Sequence, residues 1–169
     1  MGFRDRLMAK AAARTPDYRP LLSEALGADD ELIGFTFGTP VAHETGRGAG
    51  FGTARLTGTL INKAGEQISK ARHMGGDEGS IAHTLPRDAS GSRAIVVSRA
   101  GFSVWDFQTP ECLARVPRSQ VASLKRAGDA AQGWATARIT FADGSFFDYK
   151  VMDHEMYADF WTAAAGFTG

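Results

Sequence analysis

The chain opens with two short segments in which apolar residues recur at helical spacing. Their apolar side chains are Phe3, Leu7, Met8 and Ala11 in the first segment, then Leu21, Leu22, Ala25 and Leu26 in the second. Pro16 prevents the first helix from continuing, and Pro20 and Gly27 suit the start and the C-cap of the second. The pattern therefore predicts an N-terminal helical extension over residues 1–29.

Strand-forming patterns follow in two places. Residues 31–42 are rich in β-branched and aromatic side chains, which predicts a first strand. After Ser92, short apolar stretches alternate with turn residues and predict six more strands, at residues 94–98, 102–107, 112–116, 120–126, 134–141 and 145–151. A final amphipathic helix is predicted over residues 154–165, with Asp153 as its N-cap. This order predicts an α+β fold of seven antiparallel strands.

The strongest turn signal is Asp143-Gly144, which suits a type I′ hairpin. Because side chains alternate along a strand, Ala137, Ile139 and Phe141 share one face. The facing strand can oppose them with Phe147, Tyr149 and Val151. This face is therefore predicted to be core, and Asp148 is expected on the opposite face.

Residues 44–93 separate the first strand from the second. Glycines cluster near their start, and residues 54–73 return to a helical period that the Gly75-Gly76 pair is expected to end. The apolar stripe of this helix includes Leu56, Leu60, Ile61 and Ile68, and small residues at Ala54, Gly58 and Gly65 would let another backbone approach. We therefore predict a Gly-rich and helical insertion within a single domain that spans residues 1–169.

The composition argues against several classes of protein. The 169 residues carry 19 Lys and Arg against 19 Asp and Glu, which argues against a nucleic-acid binder that works by global charge. Cys112 is the single cysteine, so it cannot form an internal disulfide. We find no signal peptide and no apolar stretch of spanning length, and we expect a cytoplasmic protein, with peripheral membrane association as an alternative.

The strand order and two stretches of sequence resemble bacterial members of the pleckstrin-homology-like (PH-like, GRAM-like) family. The stretches are Ala-Ile-Val-Val-Ser-Arg-Ala-Gly-Phe-Ser-Val-Trp-Asp-Phe at residues 94–107 and Arg-Ile-Thr-Phe-Ala-Asp-Gly-Ser-Phe-Phe-Asp-Tyr-Lys-Val at residues 138–151. The resemblance implies a partly open barrel or sandwich of two antiparallel sheets that a C-terminal helix caps. It also implies a binding or scaffold module. The second strand lacks the basic residues that lipid-binding members carry, which argues against phosphoinositide recognition.

Catalytic and cofactor motifs are weak in this sequence. The glycines at 46, 48, 50 and 52 fit neither dinucleotide nor P-loop spacing, and no G-x-S-x-G elbow occurs. His73, Asp77 and His83 are near enough in sequence to suggest a metal site, but we expect all three to be solvated loop residues. Asp143 is explained as a turn residue. We therefore expect no enzyme activity and no cofactor.

The candidate functional residues lie in the insertion, because a long insertion in a compact domain commonly binds a partner. Three uses of the stripe remain open at this point: it covers the barrel, it binds a second copy or another protein, or it lies on an anionic membrane. The interface candidates are Leu56, Leu60, Ile61 and Ile68, with the basic residues Arg55, Lys63, Lys70 and Arg72. Trp105 is a further candidate, since its face of the strand is expected to be partly exposed.

Overall fold

A computed structural model gives the fold. It describes residues 17–41, 73–87, 93–106, 109, 111–128 and 133–167. The first predicted helix and residues 54–72 of the predicted helix at residues 54–73 lie outside the described residues; His73, its last residue, is helical.

The described residues form one largely antiparallel sheet and two α-helices. Helix α1 spans Arg19–Leu26 and helix α2 spans Ala158–Ala165. The strands are β1 (Leu32–Pro40), β2 (Met74–Gly75), β3 (Arg93–Ser98), β4 (Gly101–Asp106), β5 (Cys112–Pro117), β6 (Val121–Arg126), β7 (Trp134–Phe141) and β8 (Phe146–Met152). The six strands predicted after Ser92 are therefore confirmed, each with both ends within one residue of the prediction.

The strand order in the sheet is β5-β4-β3-β1-β8-β7-β6, and β2 pairs with β8. Strand β1 joins the two halves, because its residues 32–38 pair with β3 and its residues 38–40 pair with β8. Strands β5 and β6 are neighbours in sequence but end the sheet on opposite sides, separated by a 3₁₀ turn at Arg118–Gln120. The sheet is therefore not closed.

Both faces of β1, β3 and β4 are largely buried. Alternating residues of β3 contact two different clusters, so all six of its residues are buried. We call the first cluster the inner core; it includes Ile95, Val97, Phe102, Ile139, Phe147, Tyr149 and Phe160. We call the second the outer core; it includes Leu22, Leu26, Phe35, Phe37, Val96, Trp105 and Tyr157. Helix α2 packs on the inner core, and helix α1 covers the outer core.

Two local predictions are wrong. Asp153 does not cap the last helix: α2 follows Tyr157 with no side-chain cap, and His154 caps the 3₁₀ turn before it (Glu155–Tyr157) by accepting a hydrogen bond from the Met156 amide. The Asp153 carboxylate accepts hydrogen bonds from Arg126 and from Trp161 Nε1, the latter at 3.0 Å. The second wrong prediction is the type I′ turn at Asp143-Gly144. The Gly144 amide donates to the Phe141 carbonyl at 3.0 Å and the Phe141 amide donates to the Ser145 carbonyl at 2.8 Å, so the loop has three residues and not two. The predicted helix end before Gly75 is confirmed, since His73 is helical and β2 begins at Met74.

Candidate functional site

Most of the predicted interface residues lie outside the described residues. These are Leu56, Leu60, Ile61 and Ile68 of the stripe and the basic residues Arg55, Lys63, Lys70 and Arg72. Their roles stay predictions. The structure does describe the chain on both sides of residues 42–72, and it is there that an unexpected polar cluster lies.

Trp105 is placed differently from the expectation. Its face of the strand is buried rather than partly exposed, and the residue itself is 3 % exposed. The indole Nε1 donates a hydrogen bond to Ser103 Oγ at 2.8 Å, and Arg115 lies over the ring. Helix α1 and Tyr157 cover this face, so Trp105 packs in the outer core. The role of Trp105 in binding stays a prediction, and its burial does not favour that role.

Both ends of the segment 42–72 are held by one residue, Asp148 of β8. On the entering side, the Val41 amide donates a hydrogen bond to the Asp148 carbonyl at 3.0 Å. On the returning side, His73 Nδ1 lies 2.9 Å from Asp148 Oδ2. Asp148 is on the face opposite Phe147 and Tyr149, as predicted. The insertion therefore leaves and re-enters the sheet at the same place.

The Asp148 carboxylate is buried and fully used. Its residue is 1 % exposed, and Arg138 on the neighbouring strand donates to both oxygens, from Nε and Nη2, at 2.8 Å each. The hydrogen bond from the Arg138 guanidinium to Asp148, more than their charge attraction, raises the pKa of Arg138, so the guanidinium stays charged. With three donors on one carboxylate, Asp148 positions its neighbours and has little capacity left to act as a base.

Aromatic rings border this cluster on the outer face of β7 and β8. The Arg138 guanidinium lies 4.3 Å from the centre of the Phe146 ring, and the Lys150 ammonium lies 5.5 Å from the centre of the Trp134 ring. Gly75 lets the chain pass against Phe146, because a Cβ at that position would lie 2.2 Å from the ring. The outer face of this half of the sheet is thus a polar surface, unlike the apolar outer face of the first half.

The predicted metal candidates do not come together. His73 contacts Asp148, whereas His83 Nδ1 lies 3.2 Å from Ser80 Oγ at a 3₁₀ turn (Ile81–Thr84). Among the described residues, no group of three or more His, Cys, Asp and Glu side chains could hold a metal ion.

Asp143 serves the turn, as predicted. It accepts hydrogen bonds from the Ser145 hydroxyl at 2.6 Å and from the Ile81 amide at 2.8 Å. These bonds, with the Ser145 hydroxyl the largest cause, lower the pKa of Asp143 below its ordinary value. They also tie the β7–β8 turn to the segment that follows β2.

The cluster around Asp148 could have been found from the sequence in part. The predicted faces set Ala137 and Ile139 against Phe147 and Tyr149, and in the structure residue 137 pairs with 149 and residue 139 with 147. Arg138 must then lie opposite Asp148, which opposite-charge cross-strand pairing favours. No sequence signal pointed to His73, because the contact spans 75 residues.

Comparisons with known proteins add no family. No protein-family model matches the chain, and no curated protein matches it. Within the part of the chain that the structure describes, no helix is both long enough and apolar enough to span a membrane.

Proposed function

We propose that this protein is a non-catalytic binding or assembly module of PH-like fold, and that it self-associates through residues 46–74. Anionic membrane binding by the same residues is the second candidate. A small enzyme is a less favoured third candidate, since Asp148, the buried carboxylate among the described residues, is bound by the Arg138 guanidinium on both oxygens.

The strand order supports the PH-like assignment. The run β1, β3, β4, β5 and the run β6, β7, β8 correspond to the two antiparallel sheets expected of that fold, and β1 bonds to both runs. Helix α2 packs between them, against β1 and β6 and on the inner core. The unpaired edges of β5 and β6 agree with a partly open barrel.

One observation carries the functional proposal: Asp148 holds both ends of the insertion. A long loop whose two ends are fixed on a rigid sheet is a common way to present a binding element. The sequence of that element has an apolar stripe that includes Leu60, and small residues beside it, which suits contact with a second copy. A symmetric pairing of two identical stripes would close at a dimer.

The test is the molar mass in solution, measured by size-exclusion chromatography with light scattering. The wild type is expected to show a species larger than 18.1 kDa at high concentration. Leu60→Asp is expected to remove that species, because a charge in the stripe would be buried at the contact. Leu21→Asp is the matched control, since Leu21 is 49 % exposed on α1, and it should leave the mass unchanged. A wild type that is monomeric at every concentration would contradict self-association.

Charge favours the membrane candidate. Residues 45–74 carry five basic side chains and one acidic one. Co-sedimentation with vesicles rich in phosphatidylserine, abolished by salt, would support it. Binding that persists with neutral vesicles, or that does not occur at all, would rule it out.

A further inference from the structure

We infer that the outer face of β6, β7 and β8 is a docking surface for an acidic, extended peptide segment of a partner protein. We call this surface the cationic face; its residues are Lys125, Trp134, Thr136, Arg138, Thr140 and Lys150. The inference goes beyond the proposed function, because it concerns the sheet and not residues 46–74.

The register of the sheet brings three cations together. Lys125 on β6 is directly opposite Arg138 on β7, and Thr136 on β7 is directly opposite Lys150 on β8. Directly opposite residues have Cβ atoms about 5 Å apart, and diagonal neighbours about 7–8 Å apart. The three cations therefore lie on one face, and no two of them are separated by more than two of these neighbour distances.

Among the described residues, Asp148 is the one carboxylate that forms an ion pair with any of these three cations. Asp148 binds Arg138 on both oxygens. Lys125 and Lys150 are exposed, and neither makes an ion pair with any other residue that the structure describes. Like charges directly opposite each other on a sheet are destabilising. The directly opposite cations here are Lys125 and Arg138, so an anionic ligand that contacts Lys125 would relieve that repulsion.

The size of the face favours a peptide over a second copy of the domain. Three strands about 4.8 Å apart and five residues long at about 3.3 Å each cover roughly 250 Å². A stable protein interface needs about 800 Å² on each partner. An extended chain of a few residues fits the smaller area, and Thr136 and Thr140 offer it hydroxyl groups between the cations.

Two other anionic partners fit less well. Single-stranded nucleic acid needs open aromatic faces for its bases, whereas Phe146 is covered by Arg138 and packed against Gly75, and Trp134 is half-buried under Lys150. A membrane needs exposed apolar side chains beside the cations. The large exposed apolar residues of the described chain lie on other surfaces, at Leu21, Ile33, Leu113 and Met156.

Fluorescence anisotropy with a labelled peptide tests the inference. The probe is a fluorescein-labelled peptide of alternating Glu and Ser, and its control is the same peptide with Gln in place of Glu. We expect the full chain to bind the Glu peptide in low salt and not the Gln peptide. The double variant Lys125→Gln with Lys150→Gln should weaken binding about tenfold, whereas Lys125→Arg with Lys150→Arg should keep it.

A matched variant separates the effect of the cationic face on affinity from the effect of net charge. Arg87→Gln with Arg99→Gln removes the same charge from other parts of the surface and should change affinity less than about twofold. An equal loss in both double variants, or equal binding of the Gln peptide, would overturn the inference. The inference would also be overturned if the Glu peptide did not bind but phosphatidylserine vesicles or a labelled oligothymidylate did, and if the lysine double variant abolished that binding. Loss of self-association in Leu60→Asp bears only on the proposed function.

Discussion

Removing either partner of the Arg138–Asp148 pair is expected to destabilise the protein by amounts that depend on the group left behind. Arg138→Met leaves the Asp148 carboxylate, 1 % exposed, with His73 as its one side-chain partner. Leaving a buried charge without its partner costs about 3–5 kcal/mol. Asp148→Asn leaves a guanidinium that is 38 % exposed and keeps contact with water. Solvent screening reduces that cost to about 2 kcal/mol.

Urea unfolding followed by circular dichroism measures these differences. With a slope near 2 kcal/mol/M, Asp148→Asn should lower the midpoint by about 1 M and Arg138→Met by about 2 M. His73→Gln should cost about 1 kcal/mol or less, since it removes one hydrogen bond to a carboxylate that Arg138 still holds. The control is Glu31→Gln, whose ion pair with Arg99 is exposed on both sides and should cost less than about 0.5 kcal/mol.

A double variant sharpens the test. Arg138→Met with Asp148→Leu removes both charges and should be more stable than Arg138→Met alone, because no buried charge then lacks a partner. If Asp148→Asn cost as much as Arg138→Met, or if the double variant were the least stable of all, the residue left behind would not decide the cost. The reasoning about the cluster would then be refuted.

Three further predictions test other parts of the fold. Gly34→Ala should destabilise by about 1–3 kcal/mol in urea titration, because the new Cβ would lie 2.6 Å from the Asp159 carbonyl of α2. Asp143→Asn should remove stability that the wild type has above the ordinary carboxyl pKa of 3.8. Because the folded pKa of Asp143 is lowered, the gap between the two proteins should close only as the pH falls below 3.8. Burial, and then the neighbouring Tyr18, raises the pKa of Tyr157 above 10.0, so the wild type should lose stability as the pH rises past 10. Thermal unfolding should show a smaller alkaline loss in Tyr157→Phe, and an equal loss in both would contradict this assignment.

The strands were predictable because the burial of a strand determines the spacing of its apolar residues. In β7 the buried residues are every second one, from Ala135 to Phe141, which is the period that a half-buried strand requires. In β3 both faces are buried, and the sequence Ala-Ile-Val-Val is accordingly a continuous apolar run. The three-residue turn Ala142-Asp143-Gly144, with Gly144 at a φ of 81°, sets the register of the last hairpin.

Two of the wrong predictions share a cause, since each concerned a contact between residues distant in sequence. Trp105 was expected to be partly exposed because nothing local indicates that α1 packs over it. Asp153 has the usual chemistry of an N-cap, but Arg126 and Trp161 take its oxygens. Local signals cannot rank such competing partners.

The outer faces of the two halves of the sheet carry different kinds of side chain. Helix α1 packs on the outer core of the first half, whose buried residues are apolar. The outer face of β6, β7 and β8 has no such cover among the described residues, and it carries charged, hydroxyl and half-buried aromatic side chains. Holding cations beside one another there has a cost that a packed apolar face would avoid. The described residues on either side of the insertion, Val41 and His73, both contact Asp148, whose carboxylate lies on this face.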